Sequence, residues 1–162
     1  MKRISLLKNL VSIIYILSLI SYISLIIMLV FWMTSPKSGL NDILGPDTIA
    51  NKIAIIVFTG GCAFFIYALK IFKKTLLLFD MTVLFDEEVV VNFRQIGRNI
   101  FLGFIVTTIS SILNSIFSRD FELDFVEITL ALIIVSAGLF FYVLGDLVSL
   151  AKGFKDENEL TV

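Results

Sequence analysis

The sequence predicts an all-α membrane protein, a bundle of four transmembrane helices with both chain ends on one side of the bilayer. Three observations lead there. Of the 162 residues, 58% are hydrophobic and only 17% are charged, against about 45–50% and about 25% in a soluble domain. The apolar residues gather in four long runs separated by short polar stretches. Ten of the thirteen Lys and Arg residues fall in the N-terminus, the stretch between the second and third runs, and the C-terminal tail.

The first run follows Lys2, Arg3 and Lys8. Leu10–Met33 is uncharged and 24 residues long, more than the ~20 that cross hydrocarbon. A signal peptide would have an apolar core of only about 7–15 residues, so a retained span over residues 10–33 is expected, with Trp32 at the outer interface. Both prolines, Pro36 and Pro46, follow with Gly39 and Gly45, which is loop chemistry.

The second span is expected over residues 53–72. Lys52 and Lys70 bound an uncharged stretch, Ile53–Leu69, and can snorkel from its ends. Gly60, Gly61 and Ala63 allow close approach of a neighbouring helix.

Residues 73–98 form the expected cytoplasmic connector. Lys70, Lys73, Lys74, Arg94 and Arg98 make it basic, and Asp86, Glu87 and Glu88 add an acidic cluster. Ile71–Phe79 extends the second helix, and Asp86 is the expected N-cap of a new one. There Phe93, Ile96, Gly97, Ile100, Phe101 and Phe104 share a face at three- and four-residue spacing.

The third span is expected over 99–117. Gly103, Thr107, Ser111 and Ser115 recur every fourth residue, with Asn114 and Ser118 adjoining. Such a stripe marks a helix-packing face or lines a polar cavity. In the outer loop, Ser118–Glu127, Asp120-x-Glu122-x-Asp124 resembles the start of a calcium loop. Phe125 and Ala131 occupy the places of its required glycine and bidentate glutamate, so a solvated loop is expected.

The fourth span is expected over 128–147, with a polar tail over 152–162. Asp146 is the one acid embedded in apolar sequence. Near the helix end it is expected to meet headgroups or to pair with Arg94, Arg98 or Lys152; the alternative is a protonatable group on a solute path.

The positive-inside rule counts Lys and Arg and places both termini and residues 73–98 in the cytoplasm. An even number of spans is then required, and four are found.

Several function classes drop out. There is no histidine, so histidine-based triads and HExxH zinc sites are excluded. No P-loop or GxGxxG occurs. The single cysteine, Cys62, precludes an internal disulfide. Net charge is −1, which gives no direct attraction to nucleic acid. No enzymatic activity, cofactor or metal is expected. What remains is a membrane-bound accessory or regulatory protein. Its candidate contacts with a partner or anionic lipid are Lys73, Lys74, Arg94, Arg98, Glu157, Glu159, Leu160 and Val162. The alternative is a solute or ion pathway built from several copies around Asp146.

Leu84-Phe85-Asp86, Phe93-Arg94-Gln95-Ile96-Gly97 and the end Lys152-Gly153-Phe154-Lys155-Asp156-Glu157-Asn158-Glu159-Leu160-Thr161-Val162 carry a resemblance. They resemble the YoaS-like bacterial membrane proteins, domain of unknown function 2975. The resemblance implies a four-helix protein of a bacterial inner membrane, encoded beside a small Cro-like helix-turn-helix regulator that it holds or releases. That family has no established activity, so no catalytic residue is carried over.

Overall fold

The computed structural model describes residues 2–34, 48–80, 87–118 and 125–160, with side chains placed except at 2–4, 79–80, 117–118, 156 and 158–160. These residues form four helices: α1 (Lys2–Thr34), α2 (Ile49–Asp80), α3 (Glu87–Ser118) and α4 (Phe125–Leu160). Each contains a stretch long and apolar enough to cross a membrane.

The helices are longer than the spans. α1 begins at Lys2 rather than Leu10, because no Gly or Pro interrupts Lys2–Asn9. Most of the connector over 73–98 is helix, since α2 runs on to Asp80 and α3 starts at Glu87. The tail is likewise no free end: α4 continues to Leu160, with Gly153 as the only weak helix former between Leu147 and Lys155. The proposed N-cap Asp86, the prolines of the first loop, the acids of Asp120–Asp124 and the terminal Val162 lie outside the described residues.

Neighbours in sequence are neighbours in space: α1 packs on α2, α2 on α3, and α3 on α4. The α2–α3 contact is the most extensive. Among the covered residues of α1 are Val11, Tyr15, Ser18, Tyr22, Leu25, Leu29 and Trp32. They alternate four and three apart, the seam of a helix pair with a left-handed twist. Most of the other large apolar side chains of α1 are exposed, as suits lipid contact.

The antiparallel order gives the bundle a charged end and a Trp32 end. At the charged end lies the buried apolar cluster Ala68, Ile71, Val89, Phe93 and Ile96. Phe72, Phe141, Leu144 and Val148 pack against it, with the Phe72 and Phe141 ring centroids 5.5 Å apart, edge to face.

Depth explains that position. From Lys52 to Lys70, α2 rises about 27 Å, close to the ~30 Å of hydrocarbon. Ile71, Leu76, Val89 and Val90 are buried among or beyond the charges that bound this span. Where helices meet water, burying aliphatic side chains is favourable. Inside lipid that drive is absent, and small residues and backbone proximity take over. Accordingly, a Cβ added to Gly61 would lie 2.6 Å from Thr107 Cγ2. One added to Gly103 would meet the Phe65 ring at 3.0 Å.

Candidate functional site: the charged end and the cleft opposite

Ion pairs between helices tie the charged end together. Lys74 Nζ lies 2.6 Å from Glu88 Oε1, joining α2 to α3. Lys152 Nζ lies 3.7 Å from Glu87 Oε2, joining α4 to the start of α3. Between them Arg94 donates to Asp146 Oδ1 from Nη2 at 2.7 Å and from Nε at 3.1 Å. Gly145 permits this approach, since Arg94 Cγ lies 3.1 Å from where its Cβ would stand. The Arg94 and Asp146 side chains are 50% and 62% exposed; where such a pair meets water it contributes at most about 1 kcal/mol.

The remaining candidates spread over the same end. Lys73 Nζ stands 5.4 Å from the Tyr15 ring centroid on α1, a cation–π contact. Arg98 is exposed on the outer side of α3. Glu157 is exposed near the end of α4, and the side chains of Glu159 and Leu160 lie outside the described set. The structure therefore joins Asp146 to Arg94 and leaves Arg98 elsewhere on the α3 surface.

Sequence reasoning missed an exposed apolar feature of this end. Lys152 sits opposite Glu87 at the start of α3. Beyond it α4 runs eight more residues, about 12 Å of helix. Leu147, Leu150 and Phe154, three and four apart, form an exposed stripe that continues onto this projection, with Leu150 61% and Phe154 64% exposed. The spacing was visible, but it reads as membrane span unless the helix is known to outrun its neighbours.

A second polar row was also missed. The buried polar residues among those described are Asn51, Thr59, Thr75, Asn92, Asn99 and Ser110, all on α2 and α3. Ser110 Oγ donates to the Ala54 carbonyl across the helices at 2.6 Å. Thr75 and Asn99 donate to carbonyls of their own helices, those of Ile71 and Gln95, and Asn92 Nδ2 has no hydrogen-bond partner. Asn92, Asn99, Gly103 and Ser110 follow one another at seven, four and seven residues, a helical row that could have been read beforehand.

At the Trp32 end the helices part. The first six residues of α4, Phe125–Leu130, are all exposed. One cleft of about 320 Å³ lies among α1, α2 and α3, lined by Asn51, Ala54, Phe58, Ser111 and Asn114 among others. A second of about 380 Å³ lies between α3 and α4, where Thr108, Ser115 and Glu127 line it. Phe58, Thr107 and Ser111 belong to both. The small-residue stripe of α3 therefore grades along its length: Gly103 packs on α2, Thr107 both packs on α2 and lines the clefts, and Ser111 and Ser115 line clefts. Trp32 is fully buried, with Lys52 Nζ 5.6 Å from its ring centroid.

Neither a curated protein nor a solved structure matches the chain. A family model described as "Protein of unknown function (DUF2975)" matches residues 32–162, all of the chain beyond most of α1. With a family match over most of its length, this chain, whose four apolar helices have the build of a multi-pass membrane protein, belongs to the DUF2975 family.

Proposed function

We propose that the protein is a membrane-bound accessory or regulatory protein of a bacterial inner membrane, whose charged end faces the cytoplasm and docks a small helix-turn-helix DNA-binding regulator. The observation that carries this reading is the construction of that end. It has an aliphatic core and cross-helix ion pairs of its own, and from it α4 projects with Leu150 and Phe154 uncovered. A rigid base with an exposed amphipathic helix suits a groove on a soluble partner, and the surrounding charges would govern encounter and orientation. The role needs no reacting group.

The test takes the small helix-turn-helix regulator that the family resemblance implies beside the gene, purified and offered to the full chain in detergent. Wild type should retain it. Deleting Glu157–Val162, or replacing Leu150 by Lys, should lower retention at least about tenfold, the loss of one buried anchor, with membrane insertion unchanged. Equal retention by both variants, or none by wild type, contradicts the reading.

A further inference from the structure

We infer that α4 pairs with α4 of a second copy of this chain through the stripe Phe140, Val143, Leu147, Leu150 and Phe154. Each of these side chains is more than half exposed. They recur three and four residues apart, on the side of α4 turned away from Gly138 and Gly145, which meet α3. Spacing alone decides nothing, because the outer face of any helix in a left-handed bundle repeats this way. Within hydrocarbon such a face needs only lipid.

The charged end decides. There the outer face of α2 changes from Ile56 and Tyr67 to Lys70 and Lys74, and that of α3 from Ile109 and Leu102 to Arg98 and Arg94. Among the described side chains, each helix leaves one large apolar residue exposed beyond that change, Leu77 and Val91. In α4 three follow Asp146 in register, Leu147, Leu150 and Phe154, at the level of the ion pairs to Arg94 and Glu87. Water is their alternative, so covering them is favourable. α1 offers no such seam: it exposes consecutive apolar residues, Leu6 and Leu7 or Ile13 and Ile14, as a helix wrapped in lipid does.

A second copy fits this stripe. Copies inserted with one topology stand parallel, so a twofold axis along the membrane normal sets each stripe residue against its own counterpart. Apolar residues suit that self-contact. Asp146, Lys152 and Lys155 lie off the stripe, and Glu157 ends it. A Cβ added to Gly153, beside the stripe, would meet nothing within 4 Å, which leaves room for a second helix. Covering roughly 100 Å² at each of the five residues in each copy removes about 1,000 Å² in all, the lower limit for a specific interface. The pairing is therefore reversible. It stands independently of regulator docking, although a regulator would compete with the second copy for Leu150 and Phe154.

Disulfide cross-linking tests it. Full-length chains carrying Cys62→Ala and one new cysteine are reconstituted alone in liposomes with excess lipid and oxidised with copper phenanthroline. Leu147→Cys and Leu150→Cys should form dimers, because residues near the axis come within disulfide reach. Ser149→Cys and Lys155→Cys, exposed on other sides of α4, should stay at the collisional background. Adding Phe154→Lys to the Leu147→Cys chain sets two ammonium groups face to face and should lower its dimer to that background, whereas adding Leu77→Lys, on α2, should not. Dimers at 147 or 150 above both off-stripe positions, lost with Phe154→Lys, support the pairing. Equal cross-linking at all four positions, or background at both 147 and 150, overturns it. So does undiminished cross-linking by the Phe154→Lys chain, folded by circular dichroism. No regulator is present, so failure here leaves the docking reading standing.

Discussion

Gly97 is the residue on which the α3–α4 packing turns. A Cβ there would lie 2.6 Å from Tyr142 Cδ2 and 2.9 Å from the Gly138 carbonyl oxygen. The ring can move, but the carbonyl belongs to the α4 backbone, so the helices themselves must separate. Gly138 holds the reciprocal position, 3.1 Å from the Phe101 ring. Gly60, by contrast, would meet nothing within 4 Å. Gly97→Ala should therefore destabilise the folded protein by about 1–3 kcal/mol, the usual cost of overpacking. Gly60→Ala should be neutral or slightly stabilising, because alanine loses less backbone freedom in a helix. Unfolding in mixed micelles measures both, and equal effects at the two glycines would contradict this account of the α3–α4 contact. The sequence showed Gly97 on the shared face with Phe93 and Ile100. It did not show that the facing partner is another glycine, because which helices meet is decided by topology.

At the scale of the helices, two kinds of cohesion coexist along α3. Its first three turns carry Val89, Phe93 and Ile96 into an aliphatic core near water. Its later turns offer Gly103, Thr107 and Ser110 to α2. Phe93→Ala should cost about 3–5 kcal/mol, the range for an aromatic removed from a packed core. Ser110→Ala should cost only about 0.6 kcal/mol and at most about 1.7, the range of interhelical hydrogen bonds in membranes. Denaturant unfolding that ranks Ser110→Ala as the costlier change would put the cohesion in the wrong half. This division was partly legible. The third-span stripe announced close packing, and the apolar face from Phe93 to Phe104 announced a buried side. What composition could not reveal is that helical structure outlasts the spans. The expected tail and most of the expected connector proved helical, since a polar stretch with no Pro and a single Gly does not oblige a helix to stop. The clefts were equally hidden. The second arises where α4 diverges from α3 and the first where α1, α2 and α3 leave a gap, and neither leaves a mark in hydropathy.

The whole molecule is polarised from end to end. The charged end is tied by Lys74–Glu88, Arg94–Asp146 and Lys152–Glu87 around a core. The Trp32 end is forked, with apolar α1 and the start of α4 turned outward. Hydrophobic burial can hold a core only where water is the alternative, so the packed end belongs outside the hydrocarbon and the forked end within it. On the positive-inside rule, the bias of Lys and Arg toward the packed end would set that end in the cytoplasm, as we propose. Four antiparallel helices return both termini to that side, and this arrangement is the premise of partner docking at α4.

Cysteine labelling in intact cells tests it most directly. Cys62 is the sole native cysteine and can be replaced by Ala, with single cysteines then introduced as Ser38→Cys, Lys74→Cys and Lys152→Cys. A membrane-impermeant maleimide should label position 38 in intact cells and reach positions 74 and 152 only after permeabilisation. Labelling of 74 and 152 in intact cells, with 38 protected, would place the packed end outside the cell and contradict the account.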